Sequence, residues 1–397
     1  MNFNLDSEQQ LLQDSVRRFI DRDYDFEART ALIKSGSRCS AKHWDTFANN
    51  GWLAAALPEA HGGLGGSLLD TVLIAGQLGR GLVIEPYLGC AVLAAQTLLA
   101  AATPTQRDAM LPALADGSRK VALAYSEAGS RGLPEPIGTF ADVASGGHVL
   151  RGVKTLVLGG TEADTFIVSA VTPIARPTSA HDGAELRLFL VGADAAGLSR
   201  RALPLHDGSW AAEVTLDGVF VPDGALLGEP GTGLAALDHG LLHGTAALAA
   251  ELVGAMEKTI EITAEYLKVR KQFGVPIGSF QALQHRMADM AAELEVARSM
   301  LYALLAAVAS GTPEEVRNTV SQAKALIGRA AKYVCGQGIQ LHGGIGMTEE
   351  YTVGHYFKRA VVADAIFGNA DLHESLLAQA LQQSLSRSSP QPPSQSL

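Results

Sequence analysis

Three long stretches in the second half of the chain, residues 234–271, 281–310 and 313–340, carry helical apolar periodicity without an internal proline. The breaks between them are sharp, at Gly274-Val275-Pro276 and Gly311-Thr312-Pro313, where glycine and proline end one helix before the next begins. Helices this long bury their apolar faces only by packing on one another along their length, so the pattern predicts a bundle. A shorter helical pair follows Thr348.

The first half has a different grain. Apolar residues recur at helical spacing after Ser7 (Leu11, Leu12, Val16, Phe19, Ile20), behind the cap candidates Asp6 and Ser7. Loops at Asn49-Asn50-Gly51 and between Pro58 and Gly66 precede a second helical stretch over 68–99, interrupted near Pro86. This module ends near Gly117. Between about Val121 and Gly228 short β-like runs follow one another (149–158, 165–171, 185–191, 213–221), separated by Gly, Pro and Asp clusters. They predict a small antiparallel β domain. The expected division is a helical domain over 1–118, a middle β domain over 119–228, a helical bundle over 229–385 and a disordered Ser/Pro/Gln-rich tail over 386–397.

Composition excludes several classes. With 47% hydrophobic and 18% charged residues in 397, the chain has material for a large core and too little charge for a disordered protein. No apolar run is long enough for a membrane span, because Glu251, Glu257 and Lys258 interrupt the alanine-rich segment. Met1 to Asp6 has no secretory character. Cys39, Cys90 and Cys335 show neither CxxC nor metal-ligand spacing, which fits inert thiols in a reducing compartment and gives no metal site. A net charge of -10 argues against nucleic acid as a partner.

Two motifs carry chemistry. Arg270-Lys271-Gln272-Phe273-Gly274-Val275-Pro276-Ile277, followed by Phe280-Gln281, offers a cation, amide donors and aromatic faces around a turn. Such groups suit a pyrophosphate and a planar ring. Downstream, Gln340-Leu341-His342-Gly343-Gly344-Ile345-Gly346 offers another amide and a backbone that can be approached closely. Taken singly, Arg270 reads as a solvated helix end and Gly343-Gly344 as a tight interhelical turn.

Together, in this order and architecture, the two motifs resemble those of the acyl-CoA dehydrogenase family. The resemblance extends over nearly the whole chain, through Phe3-Asn4-Leu5, Leu57-Pro58-Glu59, Gly62-Gly63-Leu64-Gly65, Leu111-Pro112 and Val221-Pro222. It implies an α+β fold with an N-terminal helical domain, a middle β domain and a C-terminal four-helix bundle. It also implies FAD as cofactor, an acyl-CoA thioester as substrate, an electron-transfer acceptor, and a homo- or hetero-tetramer in a bacterial cytoplasm. By the same resemblance Arg270, Gln272 and Phe273 hold the FAD pyrophosphate and adenosine half, with Ile277, Phe280 and Gln281 along that path. Gln340, Gly343 and Gly344 meet a neighbouring subunit's FAD. Tyr125-Ser126-Glu127-Ala128-Gly129 corresponds to the flavin-facing T-E-P-G segment, and Asn369 and Asp371 are further FAD contacts.

The expected base is absent. The family's chemistry needs a carboxylate that removes an α-proton while hydride leaves the β-carbon. Aligning Gly368-Asn369 with the family's G-T puts Phe367 where that glutamate stands, and the alternative position on the first bundle helix falls near Gly244 and Thr245. Asp371 and His243 are the nearest substitutes. The flavin-side W-I-T/S is Leu156-Val157-Leu158 here. These departures resemble the base-lacking subunit of heteromeric bacterial acyl-CoA dehydrogenases of lipid or steroid catabolism, whose paralogous partner supplies the glutamate. An autonomous homotetramer with a displaced base and a silent FAD or acyl-CoA binding protein are the alternatives.

Overall fold

The computed structural model describes residues 5–134, 138–173 and 184–388. The landmarks Phe3 and Asn4 lie outside the described residues, as does the tail expected over 386–397 from residue 389 onward, its first three residues ending the last helix instead. The chain opens with helices α1 (Ser7–Asp23), α2 (Phe26–Lys34), α3 (Ala41–Asn49), α4 (Leu68–Arg80), α5 (Ala95–Ala101) and α6 (Pro104–Ala115). A π-helical run, Tyr87–Ala94, leads into α5. Capping boxes start α1 (Asp6 with Gln9), α4 (Ser67 with Asp70) and α6 (Thr103 with Gln106), each satisfying otherwise orphaned amides. The periodicity over 7–22 is therefore α1, while α2, α3 and α6 are too short to stand out in the sequence.

Eight strands follow: β1 (Val121–Ala124), β2 (Phe140–Ala144), β3 (Gly147–Leu158), β4 (Thr165–Pro173), β5 (Ala184–Gly192), β6 (Leu198–Pro204), β7 (Trp210–Pro222) and β8 (Leu226–Leu227). They form one sheet in the order β6-β7-β3-β2-β4-β5-β8, with β1 on β4. The sheet is antiparallel except that β1 runs parallel to β4 and β2 meets β4 in parallel at one pair. The cause lies at the entry from α6. Lys120 N–H donates to the Asp164 carboxylate and Asp164 N–H donates to Lys120 O, both at 2.8 Å, so the two segments start side by side in one direction.

The last module comprises α7 (Gly233–Val269), α8 (Gln281–Ser310), α9 (Pro313–His342), α10 (Val353–Ala365) and α11 (Ala370–Ser388). α9 packs against α7, α8, α10 and α11. Between α7 and α8 a two-residue hairpin, β9 (Lys271–Gln272) with β10 (Val275–Pro276), replaces a plain turn. Phe273 and Gly274 both take positive φ there, as a tight hairpin turn of this kind requires.

One continuous apolar core joins the N-terminal helices to the bundle, and a second fills the β module. All three modules meet at a buried arginine on α10. Arg359 donates Nε to Glu251 Oε1 at 2.5 Å, Nη2 to Glu251 Oε2 at 3.0 Å and Nη1 to Asp207 Oδ2 at 2.9 Å. Arg29 of α2 donates to the Asp207 carbonyl at 2.6 Å. The carboxylates hold the Arg359 guanidinium more firmly protonated than usual, and Arg359 and Ser209 hold the Asp207 carboxyl below the ordinary range against the opposing effect of burial. Among the described residues, no helix is long and apolar enough to cross a membrane.

Candidate active site

A cleft of about 340 Å³ opens between the β module and the bundle. Ser126, Glu127, Arg131 and Gly132, just after β1, form one wall, Thr155 and Leu156 of β3 form the floor, and Val361, Asp364 and Asn369 face them. The structure thus brings two expected site residues, Ser126 and Asn369, into one cavity across about 240 residues of sequence, a non-local closure only packing can make. Asn369 accepts Leu372 N–H at 3.0 Å, so it also caps α11.

Adjoining the cleft through Ser126, Gly132 and Leu156 is a small recess, lined further by Leu93, Tyr125, Leu158 and Phe367. Phe367 is 6% exposed and adopts φ +61°, a region an L residue occupies only when its surroundings hold it. His373 Nε2, 2.9 Å from the Phe367 carbonyl, anchors the turn. The other base position lies against it. A Cβ on Gly244 would stand 3.0 Å from Phe367 Cζ and 3.1 Å from Leu93 Cδ1. The phenyl ring therefore fills the space between the two positions from which a glutamate could work.

The carboxylates that line the cleft are both engaged. Glu127 accepts from Lys154 Nζ at 2.7 Å and from Gly138 N–H at 2.6 Å. Asp364 accepts from Lys332 Nζ at 2.8 Å and from Ala370 N–H at 3.2 Å. Neither substitute base reaches the cleft lining. The Asp371 side chain is 80% exposed and pairs with Arg329 at 3.0 Å on the outer face of α11. His243 sits beside His239 on α7, ring centroids 4.5 Å apart, and burial pushes its imidazole down to about 4.

The remaining expected residues gather at the far pole of the bundle. Arg270, Gln272 and Gln281 are exposed, Phe273 is 92% exposed, and Phe280 meets it edge-on at 6.2 Å. Ile277 is half-buried beneath them. Gln340, Gly343 and Gly344 are also exposed, and a Cβ on either glycine would meet nothing within 4 Å. A residue unremarked in the sequence, Tyr266, joins the two motifs through the second motif's His342. Tyr266, one turn before Arg270, stacks on His342 at 4.4 Å and lies 3.3 Å from its carbonyl through the hydroxyl. His342 Nδ1–H donates to Gly338 O at 2.7 Å, leaving Nε2 as a buried acceptor without a partner. The sequence signal was available in the motif's own histidine, but not its stacking partner.

Lys154 and Thr155 were also missed. A lysine within an alternating strand reads as a solvent-facing residue, whereas Lys154 is fully buried.

The fold and the cleft define a class: a three-module α+β scaffold with its cavity at the junction of sheet and bundle. Residues 6–118 match the family description "Acyl-CoA dehydrogenase, N-terminal domain", and residues 231–382 match "Acyl-CoA dehydrogenase, C-terminal domain". The chain is 30% identical to a probable acyl-CoA dehydrogenase of Bacillus subtilis, over 96% of this chain and 100% of that protein. Among solved structures it is similar to a variant of the Tcur3481-Tcur3483 steroid ACAD, with 32% identity and TM-score 0.85 over 96% of this chain and 99% of that one. It is also similar to a chain of the ChsE4-ChsE5 complex from Mycobacterium tuberculosis, with 27% identity and TM-score 0.84 over 98% and 100%. The chain belongs to the acyl-CoA dehydrogenase family. It is accordingly an oxidoreductase of the class acting on CH–CH bonds, with FAD as cofactor.

The residues present fit that cofactor. The cleft offers hydroxyl groups at Ser126 and Thr155 beside the apolar Leu156 and Val361, and the outer pole offers an exposed cation and open glycine backbone. The fit differs from the family pattern at Leu156, an aliphatic floor where an indole is usual.

Proposed function

We propose that this chain is the base-lacking subunit of a heteromeric, FAD-dependent acyl-CoA dehydrogenase, whose paralogous partner supplies the glutamate. The observation that carries the reading is the Phe367 ring packed against Gly244, with no carboxylate at either base position. A phenyl group accepts no proton, and the cleft's own carboxylates are committed to Lys154 and Lys332. Similarity to chains of a steroid ACAD and of the ChsE4-ChsE5 complex supports a two-chain assembly and a bulky, steroid-like acyl group.

In this reading Ser126 and Thr155 orient the flavin ring from the β side, with Asn369 facing them across the cleft and Tyr125 lining the adjoining recess. Arg270, Gln272 and Phe273, with Ile277, Phe280 and Gln281 behind them, hold the pyrophosphate and adenosine half. Gln340, Gly343 and Gly344 reach the FAD of a neighbouring subunit. Asp371, at the start of α11, contributes through its exposed ion pair with Arg329. Bound FAD supplies the hydride acceptor, and an electron-transfer acceptor takes the electrons onward. The partner's carboxylate takes the α-proton, while this chain contributes the buried phenyl ring of Phe367 and the cofactor contacts.

Co-expression with the paralogue, followed by measurement of flavin content and acyl-CoA oxidation, tests the reading. Turnover is expected only from the pair. Full turnover from this chain alone would overturn it, and flavin binding with no partner-dependent turnover would favour the silent binding protein.

A further inference from the structure

The register of strand β3 with β7 shifts at two points, first between Leu150 and Arg151, where Gly218 is skipped, and again after Lys154. Lys154 stands opposite Val214 and pairing resumes with Val157 opposite Ala212, leaving Thr155 and Leu156 in a bulge. Inside the bulge Thr155 N–H donates to Ser126 O at 2.8 Å and Leu156 adopts φ +51°. Both residues line the cleft alongside Ser126. Bulges re-aim side chains at the expense of regular pairing, and an L residue at positive φ needs something to hold it.

The residue before the bulge supplies the hold. Lys154 Nζ donates to Glu127 Oε1 at 2.7 Å, to Tyr125 O at 3.2 Å and to Ser169 Oγ at 3.2 Å. Glu127 Oε2 in turn accepts Gly138 N–H at 2.6 Å. One ammonium therefore ties the end of β1, strand β3, strand β4 and the segment before β2. Lys154 itself does not line the cleft, so contact with a ligand does not account for its burial. A buried cation is costly unless its partners are fixed around it.

We propose that Lys154 is a positioning residue of the flavin cleft: it pins the Tyr125–Glu127 corner to β3 and so sets the bulge that presents Ser126, Thr155 and Leu156 to the ring. The inference rests on reading this cleft as the flavin site. Burial pulls the Lys154 ammonium down to about 8, and Glu127 is the charged group that faces it and opposes the shift. Above that pH the amine loses its charge, the ion pair with Glu127 ends, and the corner loosens.

The test is the FAD dissociation constant and visible absorption spectrum between pH 6.5 and 9.5, measured on the full chain in the assembly it purifies as. Melting temperatures are recorded alongside. Wild type is expected to weaken at least about fivefold across pH 8, following the loss of one charge-assisted contact. Lys154→Met is expected to bind about tenfold more weakly at pH 7, with a shifted flavin band and no step at pH 8. Lys154→Arg restores affinity and abolishes the step, because arginine stays charged. The double variant Lys154→Met with Glu127→Met removes the buried charges together. It is expected to recover the melting temperature but not the affinity, which separates positioning from folding. Wild-type affinity, spectrum and pH profile in the double variant or in Lys154→Met would overturn the role of Lys154 while leaving the cleft as the flavin site. Absence of flavin from wild type in every assembly would overturn the reading of the cleft itself.

Discussion

Removing the cation at the junction of the three modules should be more damaging than any single change in the cleft. In Arg359→Met the apolar stem survives, but Glu251 and Asp207, 8% and 3% exposed, lose their shared partner. Leaving buried charge uncompensated costs about 3–5 kcal/mol. An unfolding entropy of about 2.1 cal/mol/K per residue gives about 0.8 kcal/mol per degree for a chain of this length, so Tm should fall by about 5 °C. The module junction is the part that loosens, and calorimetry at pH 7.5 reads it as a lowered or split transition.

The pH dependence provides a second, independent check. In wild type the folded Asp207 carboxyl lies below its ordinary value, so its stabilising contribution is present above the unfolded value of 3.8 and is lost as pH falls through the lower folded value. In the variant the Arg359 charge is gone and only Ser209 still opposes burial, so the Asp207 carboxyl rises. Its protonation on acidification to pH 5 should then shrink the Tm deficit. A triple variant that adds Glu251→Gln and Asp207→Asn should recover at least half of it at pH 7.5. A deficit under 1 °C, or one unchanged between pH 7.5 and pH 5, would refute the claim that buried charge rather than packing sets the cost.

Three further outcomes are expected. Gly244→Ala should destabilise by about 1 kcal/mol, since overpacking of about 1–3 kcal/mol exceeds the helix-propensity gain of about 1 kcal/mol; chemical denaturation should show that cost vanish in a Phe367→Leu background. His342→Ala removes the stack under both outer motifs and should weaken FAD retention about tenfold, or about 1.4 kcal/mol, without loss of fold; unchanged flavin absorbance after gel filtration would count against the outer pole as a cofactor surface. Asp371→Asn should leave acyl-CoA oxidation by the assembly within about twofold, as exposed ion pairs contribute little, whereas a hundredfold loss would restore Asp371 as the base.

Long-range helical periodicity made α7, α8 and α9 legible, because a helix of thirty residues repeats its apolar face many times over. β-like runs between Gly, Pro and Asp clusters revealed β3, β4, β5 and β7, whereas β1, β2 and β6 were not read from the sequence. The hairpin at Phe273-Gly274 was legible as a break but not as a hairpin, since its strands are two residues long. Parallel pairing of β1 with β4 left no local trace at all. It depends on Lys120 meeting Asp164, a contact between segments far apart in sequence.

The sequence by itself determined the family, through motif order, and the absence of a glutamate at Phe367, because residue identity needs no coordinates. What stands in the glutamate's place was a tertiary decision. Only packing could bring Phe367 against Gly244 and Leu93, bury Lys154 with Glu127 behind a bulge, and turn Asp371 outward to Arg329. The physical reason is the same in each case. A side chain's type is local, but its partners and solvation depend on elements that meet only after the chain has closed long loops.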